Sequence, residues 1–413
     1  MNFKITPKII PEMATITSPL SSRVLRMEES ATLKMAQLGR EVKAQGYDVI
    51  SLSLGEPDFD TPEHIKDAAK AALDAGYTKY TPVPGTMELR EAISAKFKRE
   101  NGLEYSPAQI VVSTGAKQSI ANIALALLDE GDEAIILAPF WVSYSAIVKV
   151  AGGIPVPVGA GIEDDYKVSA AAIEAAITDR TKFILFSSPC NPTGSVYTAD
   201  ELGAIAKMLV KYPNVYVVSD EIYEHINFTG KHASIGTFPE VKDRTITVNG
   251  FSKGFAMTGW RLGYIGAPVE IAKACSKLQG QNTSGANSIA QHAGTVALNS
   301  SMQPTIEMKK AFEKRRELMI DGLGKIEGLK VNRPQGAFYM FPDISAFFGK
   351  SVGGTKINNA DDLAEYLLLT AHVATVTGGA FGAPTCIRIS YAASEAQLTE
   401  AIARITKALV ALG

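Results

Sequence analysis

From about residue 108 onward, short β-rich runs alternate with stretches of helical composition, and this alternation limits the fold more than any other feature of the chain. The runs are "QIVVS", "EAIIL", "KFILFS", "NVYVVS", "RTITVN" and "RLGYIGA"; the helical stretches include "AKQSIANIALALLDEG", "SAAAIEAAI" and "TADELGAIAKMLVKY". Strands that are apolar on both faces and separated by helices belong in a mostly parallel sheet covered on both sides. The chain is therefore predicted to be an α/β protein. Such sheets bind ligands beyond the carboxyl ends of their strands, so the residues that follow each run are where chemistry is sought.

The pattern changes near residue 308, where a charged helix, "IEMKKAFEKRRELMIDGLGKI", is followed by "GAFYMFPDI", a helix near 360–371 and "TCIRISYA". This reads as a smaller α+β domain. The amphipathic stretch "EESATLKMAQLGREVKAQG" is expected to pack with it. At 413 residues the chain exceeds one ordinary core. The expected division is an N-terminal arm over 1–20, a first part of the small domain over 21–60, a large domain over 61–307, and the rest of the small domain over 308–413.

With 46% hydrophobic and 20% charged residues and a formal net charge of −2, the composition is that of a water-soluble globular protein with no bias toward nucleic acid or anionic membranes. Cys190, Cys275 and Cys386 are far apart, and none of the five histidines shows H-E-x-x-H spacing, so neither a disulfide framework nor a metal centre is expected. The first residues hold no apolar segment of signal-peptide length, and Pro7 and Pro11 interrupt them. A cytoplasmic location is the expectation, with 1–20 a loose arm and Met13 an alternative start.

Four predicted strands end on polar groups. Thr114-Gly115-Ala116-Lys117 follows "IVVS", Asn191 follows "FILFS" within "SPCNPTG", Asp220 and Tyr223 follow "VYVVS", and Ser252-Lys253 follows "TITVN". Together they suit pyridoxal phosphate. Its aldehyde needs a lysine, for which Lys253 is the candidate, and its ring nitrogen needs a carboxylate, for which Asp220 is. Asn191 and Tyr223 would donate to the phenolic oxygen. The phosphate would sit at the helix N-terminus opened by Gly115, with Ser252 and Arg261 adding a hydroxyl and a fixed cation. Trp141, in "APFWVSY", offers a flat surface for the ring. Singly, each residue has an ordinary structural reading: Asp as an N-cap, Trp as core, "NPTG" as a turn. Their joint placement at successive strand ends is what points to one site.

"GFSKG" also fits the G-x-S-x-G elbow of a serine hydrolase, with Ser252 as nucleophile. That alternative would need a downstream acid and histidine, such as His292 or His372, and an upstream His-Gly-Gly loop that the sequence lacks. It leaves Asn191, Asp220 and Arg261 without roles.

"SKGFAMTGWRLGY" resembles the lysine signature of the class I aminotransferases, the fold type I family of pyridoxal-phosphate enzymes. "LSLGEPDFDTP", "YTPVPGTMELREAI", "STGAKQ", "APFWVSY", "SPCNPTG", "SDEIYEHI" and "IRISYA" match that family's pattern in order, from about residue 20 to the C-terminus. The likeness is nearest to the bacterial-type aspartate aminotransferases, the subgroup that includes aspartate/prephenate aminotransferases. It implies a ping-pong transamination between L-aspartate and 2-oxoglutarate through a Lys253 Schiff base, with prephenate as a further acceptor.

The resemblance assigns Asp220 to the ring nitrogen, Asn191 and Tyr223 to the phenolic oxygen, and Ser252, Arg261 and the amides of Ala116 and Lys117 to the phosphate. It adds Arg388 as the bidentate ligand of the substrate α-carboxylate, with Gly55 offering a backbone N–H to the same group. Tyr80 is assigned to the phosphate of a second subunit, which makes the enzyme a homodimer with shared sites. Lys117 and Thr32, with Asn282, are candidates for the distal carboxylate. Many relatives carry Lys or Arg where this chain has Glu28, so Glu28 would bear on specificity if it faces the site.

Overall fold

The computed structural model describes residues 19–25, 27 and 30–412. Most of the expected N-terminal arm, Met13 and Glu28 lie outside the described residues. The central sheet has seven strands, in the order Ile110–Ser113, Gly263–Gly266, Thr245–Gly250, Tyr216–Asp220, Thr181–Ser187, Glu133–Ala138, Ile154–Gly159. Gly263–Gly266 runs antiparallel to both its neighbours, and the remaining pairs are parallel. Six of these strands match the six sequence runs. The seventh, Ile154–Gly159, lies at an edge and carries Pro155 and Pro157, which an edge tolerates because proline lacks an N–H for the ladder.

The two-residue period sorts side chains to the two faces. On Thr181–Ser187, Phe183 and Leu185 join one core with Ile120, Tyr144 and Cys275, whereas Ile184 and Phe186 join another with Leu202 and Ile205. Helices Ala116–Leu127, Ser143–Val150 and Val269–Asn282 therefore cover one face, and Ala170–Ala176 and Ala199–Leu209 the other. Among the described residues no helix is long and apolar enough to cross a membrane.

A second core gathers Phe312, Met319 and Leu323 of helix Gln303–Leu323 with Leu363 and Leu367 of helix Ala360–Ala371 and Leu398 and Ile405 of helix Glu395–Ala411. Its sheet is antiparallel, ordered Val376–Thr377, Ile387–Ser390, Tyr339–Met340. Ile50–Ser51 pairs in parallel with Val373–Ala374, which fastens the residues before Gly55 to this unit. Helix Ala31–Ala44 packs Val42 against Leu368 and Ala374. Helix Gln303–Leu323 crosses residue 307, and Thr305 Oγ1 donates to Gly254 O of the large unit at 2.7 Å.

Candidate active site

Register brings the strand ends level. Ser113 and Gly250 both lie opposite Gly263, Asp220 opposite both Val248 and Ser187. The segments that follow these positions border one cavity of about 270 Å³. Ala116, Lys117, Trp141, Asn191, Asp220 and Tyr223 line it, as do Ser252, Lys253 and Arg261. From the small unit come Gly55, Thr32, Tyr339 and Arg388.

Asp220 is buried at its strand end. Its Oδ2 accepts from the Tyr144 hydroxyl at 2.6 Å and its Oδ1 from the Ile222 amide at 3.2 Å. Among the described residues no basic side chain pairs with it. Burial pushes its carboxyl up to about 6, although both hydrogen bonds oppose that shift. Lys253 is half-buried, and its amine donates to Gly55 O at 2.5 Å. Desolvation brings it down to about 8; Glu56 opposes this and Arg388 and Arg261 assist it. The cavity thus pushes its acid and its amine toward their neutral forms, as reactive sites commonly do.

The helix Ala116–Leu127 opens on Gly115, whose φ of 83° is in the left-handed region that favours glycine. A Cβ there would meet the Arg261 guanidinium. Among the described residues the amides of Ala116 and Lys117 donate to no acceptor, and Arg261 donates only to the carbonyls of Thr258 (2.9 Å) and Thr114 (3.5 Å). Among the described residues the Arg261 guanidinium meets no carboxylate, and free amides at a helix N-terminus are a setting that suits an anion. The Lys117 ammonium lies 4.9 Å from the Trp141 ring centroid, and Trp141 meets Tyr144 edge-on at 5.6 Å.

Across the cavity Arg388 is buried, only 2% exposed. Its Nη1 donates to Asn191 Oδ1 at 2.9 Å and its Nη2 to Ser53 O at 2.6 Å, while Nε has no partner among the described residues. The guanidinium stacks between Tyr339 (4.7 Å) and Phe381 (4.9 Å) and meets no carboxylate among the described residues. Tyr339 shares a 2.7 Å hydrogen bond with Tyr223. Its hydroxyl would stand 2.5 Å from a Cβ at position 55, so Gly55 is required there by close approach.

Tyr144 and Tyr339 are the site residues that sequence reasoning passed over. Tyr144 lies within the quoted "APFWVSY", three residues after Trp141, and a buried hydroxyl beside a carboxylate is a signal that only the fold supplies. Asn282 is exposed at the end of its helix and does not border the protomer's own cavity. One expectation needs correcting. The hydrolase alternative fails on geometry: no histidine borders the cavity with Ser252, since His292 packs on Tyr77 at 5.0 Å and His372 on Tyr47 at 4.5 Å. Tyr80 lies away from the protomer's own cavity and is 99% exposed.

The chain is similar along most of its length to known proteins. The chain is 48% identical over 389 residues to an aspartate/prephenate aminotransferase of Cereibacter sphaeroides, covering 94% of this chain and 97% of that protein. It is 47% identical to a bifunctional aspartate aminotransferase and glutamate/aspartate-prephenate aminotransferase of Petunia hybrida, over 95% of this chain and 83% of that protein. The crystal structure of the aspartate aminotransferase from Rhizobium meliloti superposes with a TM-score of 0.92 at 44% identity, covering 95% and 99% of the two chains. That of Thermus thermophilus with maleate gives 0.89 at 43%, covering 95% and 100%. Residues 47–405 match the family Aminotransferase class I and II, and the chain belongs to that family.

Proposed function

We propose that this aminotransferase moves the amino group of L-aspartate to 2-oxoglutarate by a ping-pong reaction, with pyridoxal phosphate as its cofactor. The observation that carries the reading is a pair of unmatched buried charges. Among the described residues Asp220 is an acid that pairs with no cation, and Arg388 a cation that pairs with no anion. Buried charges are costly unless paired, so the cavity suits a cationic ring on one side and a carboxylate on the other.

Pyridoxal phosphate, when bound, supplies an aldehyde that takes up an amine and a protonated ring that draws electrons from the adjoining α-carbon. Asp220 holds the ring-nitrogen proton, kept in place by Tyr144 and the Ile222 amide. Tyr223 and Asn191 donate toward the phenolic oxygen. The amides of Ala116 and Lys117, with Ser252 and Arg261, bind the phosphate, and Trp141 covers the ring.

Lys253 would anchor the aldehyde. Its amine, free once a substrate amine has taken its place, would carry a proton from the substrate α-carbon to the former aldehyde carbon, a role suited to a group brought down to about 8. Arg388 binds the α-carboxylate through its planar fork and, with the Gly55 backbone, fixes the α-carbon within reach of the amine.

A four-carbon dicarboxylate needs a second anion contact, and Lys117 and Thr32 at the cavity rim supply it. The Thermus relative, solved with maleate, holds a ligand of that class. Lys117 beside Trp141 also favours a second reading, in which the ring carboxylate of prephenate meets the same ammonium. The full exposure of Tyr80 fits a homodimer in which it serves the phosphate bound by a second copy. A cytoplasmic enzyme of amino-acid metabolism accords with these substrates. The test is product analysis with aspartate as donor and 2-oxoglutarate or prephenate as acceptor. Equal yields of oxaloacetate and the new amino acid support the reading; no amino transfer from aspartate to either acceptor refutes it.

A further inference from the structure

Behind the cavity, on the far side of the segment that carries Asp220 and Tyr223, lies a buried ionic network that the transamination does not use. Its floor is a π turn, Phe97–Asn101, at the end of helix Met87–Lys96. The wider turn directs Lys96, Glu100 and Asn101 at the residues that follow Tyr223; such turns recur at functional sites. Lys96 is fully buried, and its ammonium bonds Glu224 and, at 2.7 Å, Asn101 Oδ1. Asn101 Nδ2 donates to Glu224 Oε2 at 2.5 Å.

His225 stands between this network and the reactive lysine. Its Nε2 lies 3.0 Å from Glu100 Oε2 and 3.6 Å from Glu224 Oε1. The other edge of its ring presses on Gly254, the residue after Lys253: a Cβ at 254 would stand 2.5 Å from His225 Nδ1. Phe255 meets the ring edge-on at 5.5 Å, and the Gly254 carbonyl accepts a hydrogen bond from Thr305. The backbone at Gly254 thus meets both Thr305 of helix Gln303–Leu323 and an imidazole that is itself hydrogen-bonded to Glu100, with Glu224 3.6 Å away. Arg99 pairs with Glu100 at 2.6 Å from the solvent side. Glu100, Glu224 and His225 have the composition of a cation site, but the Lys96 ammonium already bonds Glu224 and lies 3.6 Å from Glu100.

We propose that His225 is a positioning residue for Lys253: hydrogen-bonded to Glu100 and backed by Glu224, its ring fixes the Gly254 backbone and so keeps the Lys253 nitrogen in the cavity beside Gly55. The inference rests on Lys253 being the residue that anchors the cofactor. Freed of this grip, the lysine nitrogen gains access to water, which favours its protonated form.

The test uses the holoenzyme and reads the pH midpoint of its visible absorption band, which reports the proton on the Lys253 nitrogen, together with the Kd for pyridoxal phosphate. In His225→Ala the midpoint should rise by about one unit, a tenfold change in proton affinity, and cofactor affinity should fall. His225→Gln, which keeps a donor toward Glu100, should restore at least part of both. Glu100→Gln, a half-exposed change that spares the fold, should give a smaller rise and decides the matter if His225→Ala does not fold. A wild-type midpoint that neither His225→Ala nor Glu100→Gln moves would overturn the inference. A wild type that shows no visible band with pyridoxal phosphate would instead overturn the proposed function.

Discussion

The cavity has two walls of different construction. The sheet wall is made of strand ends, where Asp220 closes one strand and Asn191, Lys253 and the Gly115 turn follow the ends of others. The small-unit wall is made of short pieces: Gly55 and Ser53 after a two-residue strand, Tyr339 on another, and Arg388 on a four-residue strand. The sheet wall holds its acid near neutrality through burial; the small-unit wall holds a permanent cation, because a guanidinium stays charged at any working pH. The difference separates two tasks. One wall is built to hold a ring and tune protons, the other to seize a carboxylate.

The largest expected effect lies on the sheet wall. Lys253→Ala should lower turnover by about 10⁴-fold or more, the upper range for a positioned proton-transfer group, with an unchanged circular dichroism spectrum. Retained turnover would break the division of tasks outright. On the opposite wall, Arg388→Lys keeps the charge and loses the fork. It should reduce kcat/KM for aspartate by roughly two to three orders of magnitude, in line with the about 2–5 kcal/mol of a truncated buried charge pair, while leaving the cofactor Kd nearly unchanged. A change confined to cofactor binding would exchange the roles of the two walls.

Asp220 gives a pH signature in the cofactor-free protein. Its folded value of about 6 lies above the ordinary 3.8, so between these values the folded state holds a proton that the unfolded state has released. Stability should therefore fall as pH rises through that window, by about 3 kcal/mol, and level off above it. Asp220→Asn should flatten this dependence, measured by denaturant unfolding from pH 4 to pH 8. The smallest effect belongs to the rim. Lys117→Ala should raise KM for aspartate by about tenfold, the order of one exposed charge-assisted contact, and change KM for alanine little.

The same two walls show what could be read before the fold was known. On the sheet side, each chemical group sits directly after an apolar run, so strand-end logic finds Asp220, Lys253 and the Gly115 turn without a three-dimensional picture. Arg388 offers no such cue: an arginine inside "IRISYA" reads equally as a surface residue, and only the resemblance to a family singled it out. Its surroundings include Tyr339, which comes from a segment about fifty residues earlier in the chain. Tyr144 was hidden for a similar reason, since its partner lies 76 residues away. The edge strand Ile154–Gly159 escapes because two prolines mask its β character. The His225 grip is also invisible in one dimension, because it joins residues separated by 125 positions.

The central claim is tested most directly by an absorption spectrum of the purified protein with pyridoxal phosphate, before and after adding L-aspartate with no oxo acid present. The account predicts a yellow chromophore that aspartate converts to the near-ultraviolet band of the amine form, with one equivalent of oxaloacetate released. A chromophore that aspartate leaves unchanged would contradict the assigned donor, and a protein that stays colourless with pyridoxal phosphate would contradict the role given to Lys253.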